Sequence, residues 1–197
     1  MSTAASTKNA LDPELTAIRL ELEQVTASVR KLVESCDDKS WAWKPSAKRW
    51  SAAECVVHLN KTSEMALPLL RKAADKARAE NRHSEGAYRL DPIGRFILRF
   101  TEPPYRMKAP SPASYFPNGV EPRVDVLWKF EELQRQMIEL VESVDGLALC
   151  EIKISWPVFV PIKYNMFASL KVFPAHQRRH LWQAEQVARR LLVNSSL

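Results

Sequence analysis

Two stretches of this chain repeat apolar residues in alternating steps of three and four, and that period leaves little choice of fold. Leu15, Ile18, Leu22, Val25, Val29, Leu32 and Cys36 form one seam, and Val126, Phe130, Leu133, Met137, Leu140 and Val144 form another. Such a seam lies along one side of an α-helix and has to be buried against other helices. A further stripe, Met166, Leu170, Phe173, His180, Ala184, Val187 and Leu191, begins just after Asn165. Only 4 glycines occur in 197 residues, which favours long helices over a turn-rich sheet protein. The length is enough for one domain with a real core and does not require a second.

The helix ends carry their own signals. Asp12 is placed as an N-cap with Pro13 at the first helical position. A second helix opens at Ser51, whose hydroxyl can cap it while Glu54 reaches back, with Trp50 and Cys55 set as a hydrophobic staple. It is expected to run to about Asn81, and the third, near Val124 to Val144, to stop at Asp145-Gly146. Between them, residues 82–122 hold seven of the 13 prolines: Pro92, Pro103, Pro104, Pro110, Pro112, Pro117 and Pro122. A connection that long can travel the length of a bundle and make helices two and three parallel, whereas the shorter links suit antiparallel neighbours. It is read as a packed crossover loop; its Tyr88, Arg89, Arg95, Phe96, Arg99, Phe100, Tyr105 and Arg106 can alternatively form a lid or a dimer surface. The expected organisation is a disordered tail over 1–10 and one all-α four-helix domain over 11–197.

Charge and cysteine usage narrow the class of partner. The net charge is +6, and from Lys171 onward five basic residues face the single acid Glu185. A nucleic acid would use such a patch, but no zinc-finger, helix-turn-helix or RNA-binding signature accompanies it, so the charge fits an anionic small molecule better. No apolar run approaches a membrane span, and the start has no apolar region of a secretory signal. Cys36, Cys55 and Cys150 share no motif spacing and leave one unpaired in any disulfide scheme, which points to a reducing, cytoplasmic setting.

The chemistry is concentrated in three histidines. His176 and His180 are four apart on a helix, so both imidazoles leave one face a turn apart and can reach one metal ion. His58 on the second helix is the candidate for a third ligand, while His83 falls where that helix runs out and is expected to be exposed. Three neutral imidazoles leave a divalent ion with open positions, where a water is acidified or a thiol held as thiolate. Zinc, nickel, iron(II) and manganese all suit such ligands. The bland reading is that the three are packed bundle residues.

Trp-Ser-x-x-Glu-x-x-x-His-Leu at Trp50 to Leu59, followed after the crossover by His-x-x-Arg-His-x-x-Gln at His176 to Gln183, resembles the DinB/YfiT-like superfamily, in particular its DinB-like branch. The resemblance spans about Leu15 to Leu192. It implies an up-down-down-up four-helix bundle, a divalent metal on His58, His176 and His180, and a homodimer. It also implies kinship with thiol-dependent transferases and isomerases that use low-molecular-weight thiols. Pro174, just before the histidine pair, and Pro68 in the second helix look individual to this chain and can bend a helix near the site.

Other side chains have weaker claims. Glu54, one turn before His58, is a candidate general base, but the capping box already accounts for it. Gln183 shares the face of His176 and His180 and can orient a ligand or water. Cys55 can add sulfur but is better read as a small core residue. Arg178 and Arg179 are candidates for holding an anionic cofactor.

The function expected from these residues is that of a divalent-metal-dependent enzyme, a thiol-dependent transferase acting on a small electrophile. A metal-dependent hydrolase and a non-catalytic metal-binding stress or partner module are the alternatives. One test needs no structure: Ser51→Ala should lower stability by about 1 kcal/mol in urea unfolding and leave metal affinity nearly unchanged.

Overall fold

In a computed structural model the described residues are 10–84, 87–103, 116–117, 121–155 and 162–194, with side chains described as far as Leu191. They form six helices and one small sheet: α1 (Pro13–Ser35), α2 (Asp38–Ala42), α3 (Ala52–Ala79), α4 (Pro92–Thr101), α5 (Arg123–Ser143), β1 (Lys153–Ser155), β2 (Lys163–Asn165) and α6 (Met166–Asn194). The protein is predominantly helical, as the apolar periods require. Apart from Ala10, the tail expected over 1–10 lies outside the described residues, and so do Tyr105 and Arg106.

The long helices carry the end signals that the sequence marks, although α3 stops at Ala79, two residues short of the expected Asn81. The Asp12 carboxylate accepts from Glu14 N at 2.8 Å, and every member of the first seam is buried. At α3 both halves of the capping box are present: Glu54 N donates to Ser51 Oγ at 3.1 Å and Ser51 N to Glu54 Oε2 at 2.8 Å. After α5, Gly146 takes φ +78°, the left-handed conformation that suits glycine, and its N–H donates to the Tyr88 hydroxyl at 3.0 Å. Neither proline ends its helix: α3 continues through Pro68 and α6 through Pro174.

Cross-helix bonds give the direction of each pair. Asn60 bonds to the Val126 carbonyl, Arg71 to Gln136 and Arg78 to the Ser143 carbonyl, so positions on α3 and α5 advance together. Lys171–Glu14 and Arg178–Glu21 show α1 and α6 advancing together as well. Arg30–Glu131 and Arg19–Glu142 run the opposite way, so α1 and α5 are antiparallel.

The described part of the crossover holds a helix where the sequence suggests a packed loop. Its α4 uses the same start as α1, with Asp91 capping Gly94 N at 2.8 Å and Pro92 in the first turn. A Cβ built on Gly94 would lie 2.2 Å from Ala168 Cβ, so only glycine lets α4 lie this close to α6. Asp91 also accepts from Asn165 N and from Lys153, tying the helix to the antiparallel β1–β2 pair, which joins Ile154 to Tyr164. The proline density of this segment conceals the short helix, and α2 and the hairpin are likewise too short to show a period.

The core falls into two apolar clusters. One surrounds Leu22, Leu70, Met137 and Phe167; the other, nearer the histidines, holds Val29, Trp41, Cys55, Leu59, Phe130 and Leu181. A polar pair is enclosed with them. Gln177 Nε2 donates to Gln134 Oε1 at 2.6 Å, and Gln134 Nε2 returns to Gln177 Oε1, the Leu22 carbonyl and Thr26 Oγ1, each at 3.2 Å. Both glutamines are 1% exposed. Gln134→Leu alone should cost about 1–3 kcal/mol, because it strands the partner amide, while Gln134→Leu with Gln177→Leu should recover most of that loss. Urea unfolding of the two variants checks this; equal destabilisation would contradict it.

Candidate metal centre

His58 lies two turns into α3, and His176 and His180 lie mid-way along α6. Each helix presents these residues on its inward face, since His58 is 2% and His180 8% exposed and His176 is half-buried. The antiparallel crossing of α3 and α6 brings the three together. Ring centroids are 4.4 Å apart for His58–His180, 4.6 Å for His176–His180 and 5.3 Å for His58–His176. One nitrogen from each falls in a group whose members are within 4.8 Å of one another. The three residues that sequence proposes as one ligand set are therefore neighbours in space.

The donor set suits a divalent ion. A tetrahedral ion with metal–nitrogen bonds of about 2.1 Å holds its donors about 3.4 Å apart. His58 Nε2 and His176 Nε2 are at 3.4 Å. His176 Nδ1 and His180 Nδ1 are enclosed and have no protein partner, an arrangement that costs free energy in a merely packed histidine.

Burial, with nearby positive charge, keeps His176 and His180 neutral. Burial, followed by the charges of His58 and Arg179, pulls the His176 pKa down to about 3. Burial also leads for His180, with His176, His58 and Arg179 adding to the downward shift and the Gln183 side chain, as acceptor to the ring, opposing it. Neutral imidazole is the form that binds metal.

Trp50 covers the group. Its ring lies 4.8 Å from His58 and 5.7 Å from His180, with Phe116 edge-on at 6.2 Å. In the sequence this tryptophan stands out for its place beside the cap and at the head of the first motif; its contact with the imidazoles depends on α6 and has no local signal.

The weaker candidates separate. Glu54 has both oxygens engaged, one by Ser51 N and the other by Lys44 at 2.8 Å, which supports the capping role. Gln183 does meet His180. Cys55 is fully buried, its thiol pushed up by burial, and lies outside the three-donor group, as a small core residue should. Arg178 is paired with Glu21 at 2.7 Å and with Glu102, and so is occupied in joining α6 to α1 and α4. Arg179 donates to the Phe100 carbonyl at 3.1 Å, at the end of α4. His83 is exposed, as expected.

A family model described as the DinB superfamily matches residues 21–184. No curated protein and no solved structure matches the chain.

The lowered histidine pKa values set a pH dependence for the metal-free protein. Unfolded histidines take up protons below about pH 6.5 while the buried rings stay neutral, so the unfolded state binds more protons and stability falls with pH. His176 should account for a loss on the order of 1–2 kcal/mol between pH 7 and 5, above the carboxylate range. Urea midpoints in chelator should therefore fall less for His176→Gln than for wild type, and equal falls would contradict the shift.

Proposed function

Given that the chain belongs to the DinB superfamily, we propose that His58, His176 and His180 hold one divalent metal ion and that the protein is a metal-dependent enzyme, a transferase joining a thiol to a small electrophile. The observation that carries this reading is the convergence of three imidazoles, with His58 Nε2 and His176 Nε2 at 3.4 Å and one donor from each residue within 4.8 Å of the others. When bound, the ion supplies Lewis acidity and lowers the pKa of a coordinated thiol or water.

The chain's own residues do the rest. The two helices fix the three imidazoles on facing sides, so the ligand set is preorganised and leaves coordination positions unclaimed by protein. Trp50 shields the rings from bulk water, and Gln183 holds the plane of His180. With both Glu54 oxygens engaged, that carboxylate is not free to act as a base, so proton transfer falls to the thiol itself and to solvent.

The four long helices are taken as a single up-down-down-up bundle domain with α4 in its long crossover. The pair directions of α1, α3, α5 and α6 support that topology. A homodimer is part of the same reading, supported by Val124 and Trp128, which lie one turn apart on α5 and are 74% and 70% exposed. No described helix is long and apolar enough to cross a membrane, and all three cysteines are free, which supports a reducing, cytoplasmic setting.

The wild-type chain should bind about one divalent ion, and His180→Ala should abolish tight binding because two imidazoles make a poor site. Metal analysis after gel filtration decides it, and equal content in the two proteins would sink the centre. Loss of free thiol against a panel of electrophiles then tests the transferase. Hydrolysis without thiol consumption would favour metal-bound hydroxide chemistry, and tight metal binding with no turnover a non-catalytic module.

A further inference from the structure

Beside the three imidazoles lies a cleft of ≈ 100 Å³ lined chiefly by Arg49, Trp50, Trp182, Gln183, Gln186 and Arg190. It shares a wall with the histidine group. The Trp50 ring that lines it also contacts His58 and His180, and Gln183, on the same lining, follows His180 by three residues on α6.

Its electrostatics are one-sided. Among the described residues no acid lines the cleft, and the acids closest in sequence are already engaged, Glu54 with Lys44 and Glu185 with Arg189. Arg49 and Arg190 have no ion pair among the described residues, unlike Arg178 and Arg189 on the same helix as Arg190. Two unpaired guanidiniums at one small recess match a planar carboxylate, which each can grip through parallel N–H donors. The two indoles offer apolar walls for a short carbon stem. Pockets that enclose whole ligands measure roughly 300–1,000 Å³, so this one has room for the end of a molecule and not for all of it.

Resting on the three-histidine reading above, we propose that this cleft is the anion subsite of the same centre. It takes the carboxylate end of a small substrate whose reacting end lies at the imidazoles, with Trp50 and Gln183 lining the path between. Arg49 and Arg190 set specificity for the charged end; they touch no reacting atom. The attraction of an anion that the sequence suggests for Arg178 and Arg179 thereby passes to a different pair of arginines.

The full-length protein loaded with cobalt(II) provides the test. Two thiols of equal chain length, 3-mercaptopropionate and the uncharged 3-mercapto-1-propanol, are titrated while the thiolate-to-cobalt absorption band is followed. As the sulfur–cobalt bond forms, the thiol proton passes to buffer. The acid should bind at least about tenfold more tightly than the alcohol to wild type, the difference one good charged contact makes. In Arg49→Gln with Arg190→Gln that preference should shrink to about twofold or less, the alcohol binding as before and thereby reporting an intact fold and ion. Equal affinities in wild type, or a preference that survives the double substitution, would overturn the subsite while the metal centre stands. Cobalt uptake with no thiolate band for either compound would overturn the path from cleft to imidazoles. Absence of cobalt uptake would overturn the metal reading and this proposal together.

Discussion

The rotation of α6 about its own axis is the constraint on which the site depends, and the buried Gln134–Gln177 pair fixes it. Gln177 follows His176 directly, so any turn of α6 that breaks the amide pair also swings His176 and His180 away from His58. Apolar packing alone tolerates small slips of one helix on another, since methyl groups have no directional demand. Two amides that have to satisfy each other inside the core do not, because a stranded amide is costly. The pair also reaches the Leu22 carbonyl and Thr26 on α1, so three of the four long helices are set by one polar contact.

Burial gives the imidazoles two properties at once. It holds His176 and His180 in the neutral form at neutral pH, which suits them as ligands, and it leaves the Nδ1 of each without a protein partner. Neutral burial weakens the metal-free fold as pH falls, and a cation that binds the neutral rings opposes that loss. Stability and metal affinity are consequently linked, as they are wherever a ligand binds only the folded state. Trp50 belongs to this balance, lying over His58 and His180 and adding to their burial.

The positive charge of α6 is divided between structure and surface. Arg178 is held by Glu21 and Glu102 and Arg179 by the end of α4, so the pair nearest the histidines in sequence helps dock α1 and α4 onto α6. Arg190, further along α6, and Arg49, ahead of α3, line the cleft beside the centre and have no ion pair among the described residues. Gly94 against Ala168 and Asp91 on Asn165 place α4 tightly enough for those docking contacts to form.

The long helices were legible because they are encoded locally. A seam of period 3.6, the Asp12–Pro13 start, the Ser51–Glu54 box and the Asp145–Gly146 stop each act within a few residues, and each appears in the structure where the sequence puts it. His176 and His180 could be placed together for the same reason, since one helix turn sets their separation. His58 could be named as their candidate partner from its place on a second amphipathic helix, and the flanking motifs reinforced it, but its geometry comes from the antiparallel crossing of α3 and α6. Short elements such as α2, α4 and the hairpin escaped because three to ten residues hold too little period to stand out from loop. Tertiary structure alone decided that Gln134 meets Gln177, that Trp50 covers the imidazoles and that Arg178 is spent on Glu21 and Glu102. Those contacts join side chains distant in the chain, and hydrogen bonds and ion pairs of that range depend on where whole helices come to rest, which no local pattern records.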